Sequence, residues 1–371
     1  MMDKPHVVII GLGDTGILTA MQLAKYVKVT AIGTKSSFIS GQELGLRLVE
    51  PEVWRQHYAF EFKQFKQLQA VNIIHGKATR IDYQQKQVHF DQPSGSTATI
   101  TYDALVIASG VSNGFWRDDQ LLDRPAIKAQ FSQFRHNIVA SDTIHVIGGG
   151  PSAVSAAFNI KRQYHHKTVK LFFSRDQVLP QYATKTRSTI SKALDDIGVI
   201  QKPNHRAILG KQPTSLTQQI VHFEHADQIV EHQKALTLWA IGKSKPHNDF
   251  IPEAMLTPTG FVNVDQKLAV KGIAGIFSVG DIANSDPHRS SARNNGHMVV
   301  AKNTLAYLNG KKMKQHFVAP GNRWGSILGI QPTGLGVFSP SGRLYSVNRW
   351  ITERILFPFF VRRVIYKGIK T

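Results

Sequence analysis

The chain sets its first element with a run of hydrophobic residues, HVVII at 6–10, followed at once by GLGDTG. An apolar run of that length closed by glycine predicts a strand buried in a parallel sheet, and the apolar-rich stretch 17–26 predicts the helix after it. VKVTAI at 27–32 is a second strand, which completes a βαβ unit. Residues 36–67 form a mixed segment with helical stretches, and VNII at 71–74 begins another strand. The period then changes. Stretches 78–83, 87–90 and 97–102 alternate apolar and polar positions, with Gln92, Pro93, Ser94 and Gly95 as a turn, and predict a small antiparallel meander. DALVIASG at 103–110 returns to a buried strand, ending in small residues.

The same series then recurs. TIHVI at 143–147 is a strand, GGGPSA at 148–153 a turn, 154–164 a helix, 168–173 a strand, 186–197 a helix and 199–201 a strand. A second meander around 220–223 leads to ALTLWAIG at 235–242, which repeats the pattern of DALVIASG. A third strand-to-turn signal, GIFSVGDIA at 275–283, delivers Gly280 and Asp281 to the start of a helix in 290–308. The predicted fold class is α/β, with two Rossmann-like dinucleotide-binding domains, the second inserted in the first. The expected boundaries are 1–112 and 245–320 for the interrupted domain, 113–244 for the inserted one and 321–371 for a C-terminal region.

The turns carry the chemistry. Gly11, Gly13 and Gly16 have G-x-G-x-x-G spacing around Asp14 and Thr15. Gly11 permits the tight turn, Gly13 lets the backbone approach a pyrophosphate, and Gly16 lets the helix pack closely on the strand. Free amides at the helix start then hold phosphate charge. Gly148, Gly150 and Ala153 repeat the spacing around Pro151 and Ser152. An acid at the end of the next strand binds a ribose in many such units, yet Gly33-Thr34-Lys35 and Phe173-Ser174-Arg175 occupy those places. Arg175 favours a 2′-phosphate, and so NADPH over NADH. Its alternative is one more exposed cation. Ser109, Gly110 and Gly242 close the two small-residue strand ends.

Composition narrows the chemistry further. The 371 residues, 42% hydrophobic and 19% charged, supply a large core, and the net charge of +20 attracts anions: nucleotides, nucleic acid or an acidic membrane surface. Cysteine is absent, which excludes disulfides, cysteine-ligated metals and any dithiol relay. Among 16 histidines no spacing reads as a metal site; His165 and His166 are expected to be solvated, and His297 is expected to be structural, with a place facing a bound cofactor as its alternative. The first strand leaves no room for a secretory signal, and no apolar run approaches the roughly 20 residues that span a bilayer. A cytoplasmic protein that does not span a membrane is expected.

The last segment, WITERILFPFFVRRVIYKGIKT at 350–371, mixes aromatic and aliphatic residues with Arg354, Arg362, Arg363, Lys367 and Lys370. That combination suits an amphipathic anchor on anionic lipid, with Pro358 kinking any continuous helix. Packing against the body or at a dimer interface is the alternative. As an anchor, its deletion is expected to abolish liposome binding while the dinucleotide held by the first turn is retained.

Taken in order, HVVIIGLGDTG, VIASG, HVIGGGPSA, LWAIG and GIFSVGD resemble the two-dinucleotide-binding-domain flavoprotein family of pyridine-nucleotide oxidoreductases. Without cysteines, the disulfide-reductase branch is excluded; length, charge and C-terminus resemble the branch of type II NADH dehydrogenases and ferroptosis-suppressor, apoptosis-inducing-factor-like proteins. The resemblance implies FAD on the turn of Gly11, Gly13 and Gly16, with Asp281 accepting from a ribityl hydroxyl. It implies NAD(P)H on Gly148, Gly150 and Ala153, and places Asn294, Asn295 and Gly296 at the isoalloxazine ring. Gly33, Phe173 and Ser155 depart from the pattern, and Ser155, where relatives often carry Glu, leaves the proton relay unassigned. Hydride transfer between stacked rings asks mainly for positioning, so no catalytic side chain is named. The implied partner is a quinone or other small acceptor at a membrane face, with a homodimer open and nucleic acid not expected. A reductase of a small acidic electron-transfer protein, and a flavin-bound redox sensor or nucleic-acid-binding protein with negligible turnover, are the alternatives.

Overall fold

The structure, a computed structural model, describes residues 4–41, 43–112, 118–208, 216–241, 245–286, 295–319, 321 and 324–370. Strand His6–Ile10 lies at the centre of a five-stranded parallel sheet, between Lys28–Gly33 on one side and Ala104–Ile107 on the other. Val71–His75 and Ile276–Ser278 form the two edges. Residues 6–10 and 104–107 are almost wholly buried, as the unbroken apolar runs require. Because Ile276–Ser278 pairs with Ala104–Ile107, the chain returns to its first sheet after a long excursion. The excursion begins and ends at one place, where Val111–Ser112 and Lys245–Pro246 pair antiparallel.

The first helix is Asp14–Leu23, three residues ahead of the expected 17–26. It starts directly at the glycine turn, where Ile17 N–H bonds Gly13 O at 3.0 Å, and it ends where the amides of Tyr26 and Val27 both turn back to Leu23 O. The meander forms as expected over Lys77–Asp82, Gln87–Asp91 and Thr97–Thr101.

The second sheet has six strands. Ile200–Lys202, Thr168–Phe172, Thr143–Ile147 and Gln228–Trp239 run parallel, and Thr217–His225 and Arg206–Ala207 add to the last of these antiparallel. Here the expectation of a meander followed by a separate strand is corrected. Gln228–Trp239 is one strand of 12 residues, whose first half pairs in a hairpin while its buried second half completes the parallel sheet. Helices Pro151–Gln163 and Thr184–Asp196 cover this sheet, the first opening on Pro151 at a position where no amide is needed.

Helix Leu44–Val49 ties the two cores together, with Leu46 in one hydrophobic cluster and Leu48 and Val49 in the other. It crosses Pro151–Gln163 so closely that a Cβ on Gly45 would stand 2.3 Å from Ser155 Oγ. That contact accounts for Ser155: a glutamate there would collide with the crossing helix. Arg162 and Glu50 form an ion pair across the same junction.

After the antiparallel strands Gly334–Phe338 and Leu344–Asn348, the chain enters a helical segment, Arg349–Ile351 and then Thr352–Ile365. The second part has the wider i→i+5 turn, with Pro358 inside it.

Candidate functional site

The first glycine turn forms the floor of a deep cleft. Gly11 has φ +107°, and a Cβ on it would lie 2.2 Å from Ala108 O, so the turn can only be made by glycine. Gly16 lies behind the cleft, where a Cβ would come within 1.9 Å of Gly11 O. Gly13 differs: a Cβ there would meet nothing within 4 Å and would project into open space. That space is a cradle which a side chain would fill, at the N-terminal end of a helix, whose dipole favours an anion. It fits a pyrophosphate.

Around this floor the fold assembles most of the residues singled out in the sequence. Gly11, Gly13, Asp14, Thr15, Lys35, Ser109, Gly110, Gly280 and Asp281 all line the one cleft. Gly280, at φ +85°, brings its loop against Thr15, where a Cβ would be 3.2 Å from Oγ1. The helix expected in 290–308 is Gly296–Leu308, and Asp281 stands ahead of it in a turn. Asn295 immediately precedes that helix, is exposed, and does not line the cleft. Asn294 and Gly242 lie outside the described residues.

The packing around Gly33 explains the missing acid. A Cβ on Gly33 would sit 2.9 Å from Leu12 Cδ1 and 3.0 Å from its Cβ, so no side chain fits there. Carboxylates arrive instead from another segment: Asp118 pairs with Lys35 Nζ at 2.6 Å, and Asp119 with Lys77 Nζ at 2.7 Å. Both line the cleft. Lys77 also holds Asp119 below the usual carboxylate range, against the opposing effect of burial, which is the largest influence on the group.

Four further lining or supporting residues escaped sequence reasoning. His247 sits where the chain re-enters the first domain; its Nδ1 lies 2.9 Å from Ser109 O and its Nε2 2.6 Å from Ser112 Oγ. Burial lowers its pKa, so the neutral ring donates from Nδ1 and accepts at Nε2. Ser109 Oγ in turn donates to His247 O at 2.9 Å. Arg47, buried on helix Leu44–Val49, lines the cleft with its guanidinium 4.6 Å from the Phe131 ring centre. A single charge inside the apolar LGLRLV was the available signal. Ser40 and Tyr366 hold Asp14: Ser40 Oγ lies 3.1 Å from Oδ2, and the Tyr366 phenol donates to Oδ1. Nothing in the sequence signals a contact so remote.

The tail is therefore seated in part. Tyr366 packs among Phe38 and Phe65, Phe357 against His57 at 4.5 Å between ring centres, and Lys370 N–H bonds Gln64 O. Its other face is bare, with Trp350 63%, Phe359 57% and Phe360 50% exposed. No helix among the described residues is long and apolar enough to cross a membrane.

The second turn lies outside the cleft. Gly148 has φ +139°, with a Cβ placed 2.2 Å from Ala240 O; Gly150, like Gly13, opens onto free space; buried Ala153 packs against Gly148. Pro151 and Ser152 begin the helix, and Arg175 is exposed on the loop after Thr168–Phe172. Glycine geometry thus repeats, hole for hole, in both domains. His165 and His166 are exposed and contact one another.

Residues 5–303 match the family described as pyridine nucleotide-disulphide oxidoreductase. The chain belongs to that family. Membership makes it an α/β oxidoreductase of the flavoprotein, NAD(P)-dependent kind, although without cysteine it lacks the disulphide of the family's name. Ferroptosis suppressor protein 1 of Xenopus tropicalis is 25% identical over 329 residues, covering 85% of this chain and 84% of its own. Among solved structures, NDH2 of Plasmodium falciparum superposes with a TM-score of 0.73 at 12% identity, over 94% of this chain and 92% of that one. The sulfide:quinone oxidoreductase of Aquifex aeolicus superposes with a TM-score of 0.69 at 17% identity, over 98% and 92%. The resemblance to the type II NADH dehydrogenase and ferroptosis-suppressor branch holds. Family membership implies FAD and NAD(P)H, and the open cradles at Gly13 and Gly150 fit two dinucleotides.

Proposed function

We propose that the protein is a peripheral, FAD-dependent NADPH oxidoreductase that passes electrons to a quinone at a membrane surface. The observation that carries this reading is the double engagement of the tail. The segment that leaves Trp350, Phe359 and Phe360 bare also sends Tyr366 to Asp14 in the cofactor cleft. An apolar acceptor held in a membrane would then meet the enzyme on the side where the cleft is closed. The lack of cysteine supports an external acceptor, since no internal dithiol receives the electrons. FAD, when bound, supplies hydride acceptance from the nicotinamide and electron release to the acceptor.

The residues have distinct tasks. Gly13 and the amides after it bind the FAD pyrophosphate, Asp281 holds the ribityl chain, and Asp118 takes the ribose role that Gly33 cannot fill. Arg47 offers positive charge to a cofactor that becomes more negative on reduction. Gly148, Gly150 and Ala153 position the donor nucleotide, and Arg175 selects its 2′-phosphate.

The test is an anaerobic titration of the FAD-loaded protein, followed by a short-chain ubiquinone analogue. NADPH is expected to bleach the flavin and the quinone to restore it. A flavin that NADPH bleaches but the quinone fails to reoxidise, while an acidic ferredoxin does so, overturns the acceptor. Deletion of 350–371 no longer isolates membrane binding, because it removes Tyr366 from Asp14. Replacing Phe359 and Phe360 by Glu is the cleaner variant; unchanged sedimentation with phosphatidylglycerol liposomes argues against the membrane reading.

A further inference from the structure

Beside the cofactor cleft lies a second cavity of about 410 Å³. One wall is a face of helix Arg124–Val139; the other is helix Pro51–Tyr58 with the short strand Ala59–Phe60. Its apolar surface comes from Ile39, Phe60, Ile127, Phe131 and Val139. Val139 is 50% exposed, which leaves the apolar stripe of the helix open at its C-terminal end. From Ile127 and Phe131 the row continues at i+4 spacing through Arg135 to Val139, about 18 Å at 1.5 Å per residue, so a cation stands within the apolar row.

The rim is cationic beyond what its acids balance. Arg55, Arg124, Lys128 and Arg135 face the cavity against Glu52 and Glu61. Glu52 already pairs with Arg55, and Glu61 with Arg124 and Lys63. Lys128 and Arg135 have no carboxylate partner among the described residues. They are two turns apart on one helix face, so their charges converge on one side of an apolar trough.

We propose that this cavity binds a single-chain amphipathic anion, a fatty-acid carboxylate, with its chain along Phe60, Ile127, Phe131 and Val139 and its head group between Lys128 and Arg135. An apolar wall without the cations would suit a neutral hydrophobe, and the cations without the wall a simple anion; their combination selects a molecule with both parts. The site is distinct from the cofactor cleft, though Ser37, Ile39, Ile127 and Phe131 line both. A bound chain would therefore rest against the cleft wall. The assignment is independent of which electron acceptor the enzyme uses.

The test titrates the FAD-loaded protein with the fluorescent fatty acid cis-parinarate and competes it with decanoate, decanol and inorganic phosphate. Saturable binding is expected, displaced by decanoate at least tenfold more readily than by decanol and not displaced by phosphate. Lys128→Glu with Arg135→Glu is expected to weaken binding at least tenfold. Ser132→Trp, placed on the exposed cavity face, is expected to abolish it by filling the trough. Flavin absorbance and the circular dichroism spectrum report that these variants are folded. Absence of saturable binding, binding unchanged in both variants, or decanol competing as well as decanoate overturns the proposal. Displacement by phosphate alone, or loss of binding in the Phe359→Glu, Phe360→Glu variant, places the ligand elsewhere and overturns it as well.

Discussion

Tyr366 donates its phenolic hydrogen to the carboxylate of Asp14 across 352 positions of sequence, and both side chains are buried. A tail that closes on the first residue of the first helix makes cofactor site and C-terminus one cooperative unit. Tyr366→Phe keeps the ring among Phe38 and Phe65 but removes the donor. The expected cost is about 1.5–3 kcal/mol, the range for a hydrogen bond to a charged group. A thermal melt of the FAD-loaded variant reads the loss, and a Tm equal to that of the parent refutes the coupling.

The two open glycines separate binding from folding. Gly13→Leu and Gly150→Leu each start a side chain where a Cβ meets no atom within 4 Å, at extended backbone geometry that other residues adopt. The apoprotein melts are expected to stay within about 0.5 kcal/mol of the parent. Gly13→Leu should lose FAD, while Gly150→Leu should keep FAD yet fail to be reduced by NADPH. Gly11→Leu, at φ +107° against Ala108 O, is expected not to fold.

Asp118 is expected to serve the adenosine end of the cleft. Asp118→Asn removes the ion pair with Lys35 and the negative charge proposed to take the ribose role. FAD affinity should fall about tenfold, equivalent to roughly 1.4 kcal/mol. Gly33→Asp should not restore it, since Leu12 occupies the space. Equilibrium dialysis of FAD against each variant measures both outcomes.

For the donor, Arg175→Ala is expected to raise the KM for NADPH about tenfold and leave that for NADH unchanged. Equal effects on both nucleotides would return Arg175 to the status of an ordinary exposed cation. Stopped-flow reduction of the flavin distinguishes the two.

The face of the second sheet predicts a pH dependence. His145 is fully buried against Phe172 and His232, neither of its ring nitrogens has a partner, and burial first, then Lys170 and His232, lower its pKa to about 4. The unfolded chain takes up the proton near the ordinary imidazole value of 6.5, before the folded one does. Stability is therefore full above about pH 6.5, falls as pH drops from there to about 4, and levels off below, by roughly 3 kcal/mol at most. His145→Phe, which fits an aromatic neighbourhood and leaves no orphaned nitrogen, should raise Tm and flatten this slope. Urea unfolding at pH 7 and pH 5 measures the change.

Much of the fold was legible because its signals are local. Buried parallel strands need apolar runs, and 7–10 supplies one while 143–147 carries His145 in its middle; glycine turns need fixed spacings, and Gly11 and Gly148 adopt the positive φ those turns require. The helix start at Asp14 and the single long strand Gln228–Trp239 were less legible. In both, hydrogen bonding decided a boundary that the apolar pattern leaves loose.

The sequence by itself determined the two dinucleotide turns, their order, and the exclusion of dithiol chemistry, since each depends on residues a few positions apart or on composition. Only the tertiary structure decided what surrounds the first turn. Leu12 closes the place where an acid was sought and Asp118 arrives from a distant segment. Gly45 fixes Ser155 as small, and Tyr366 folds the supposed anchor back onto Asp14. These are contacts between segments far apart in sequence, set by how helices and strands pack, and no period or spacing in the chain encodes them.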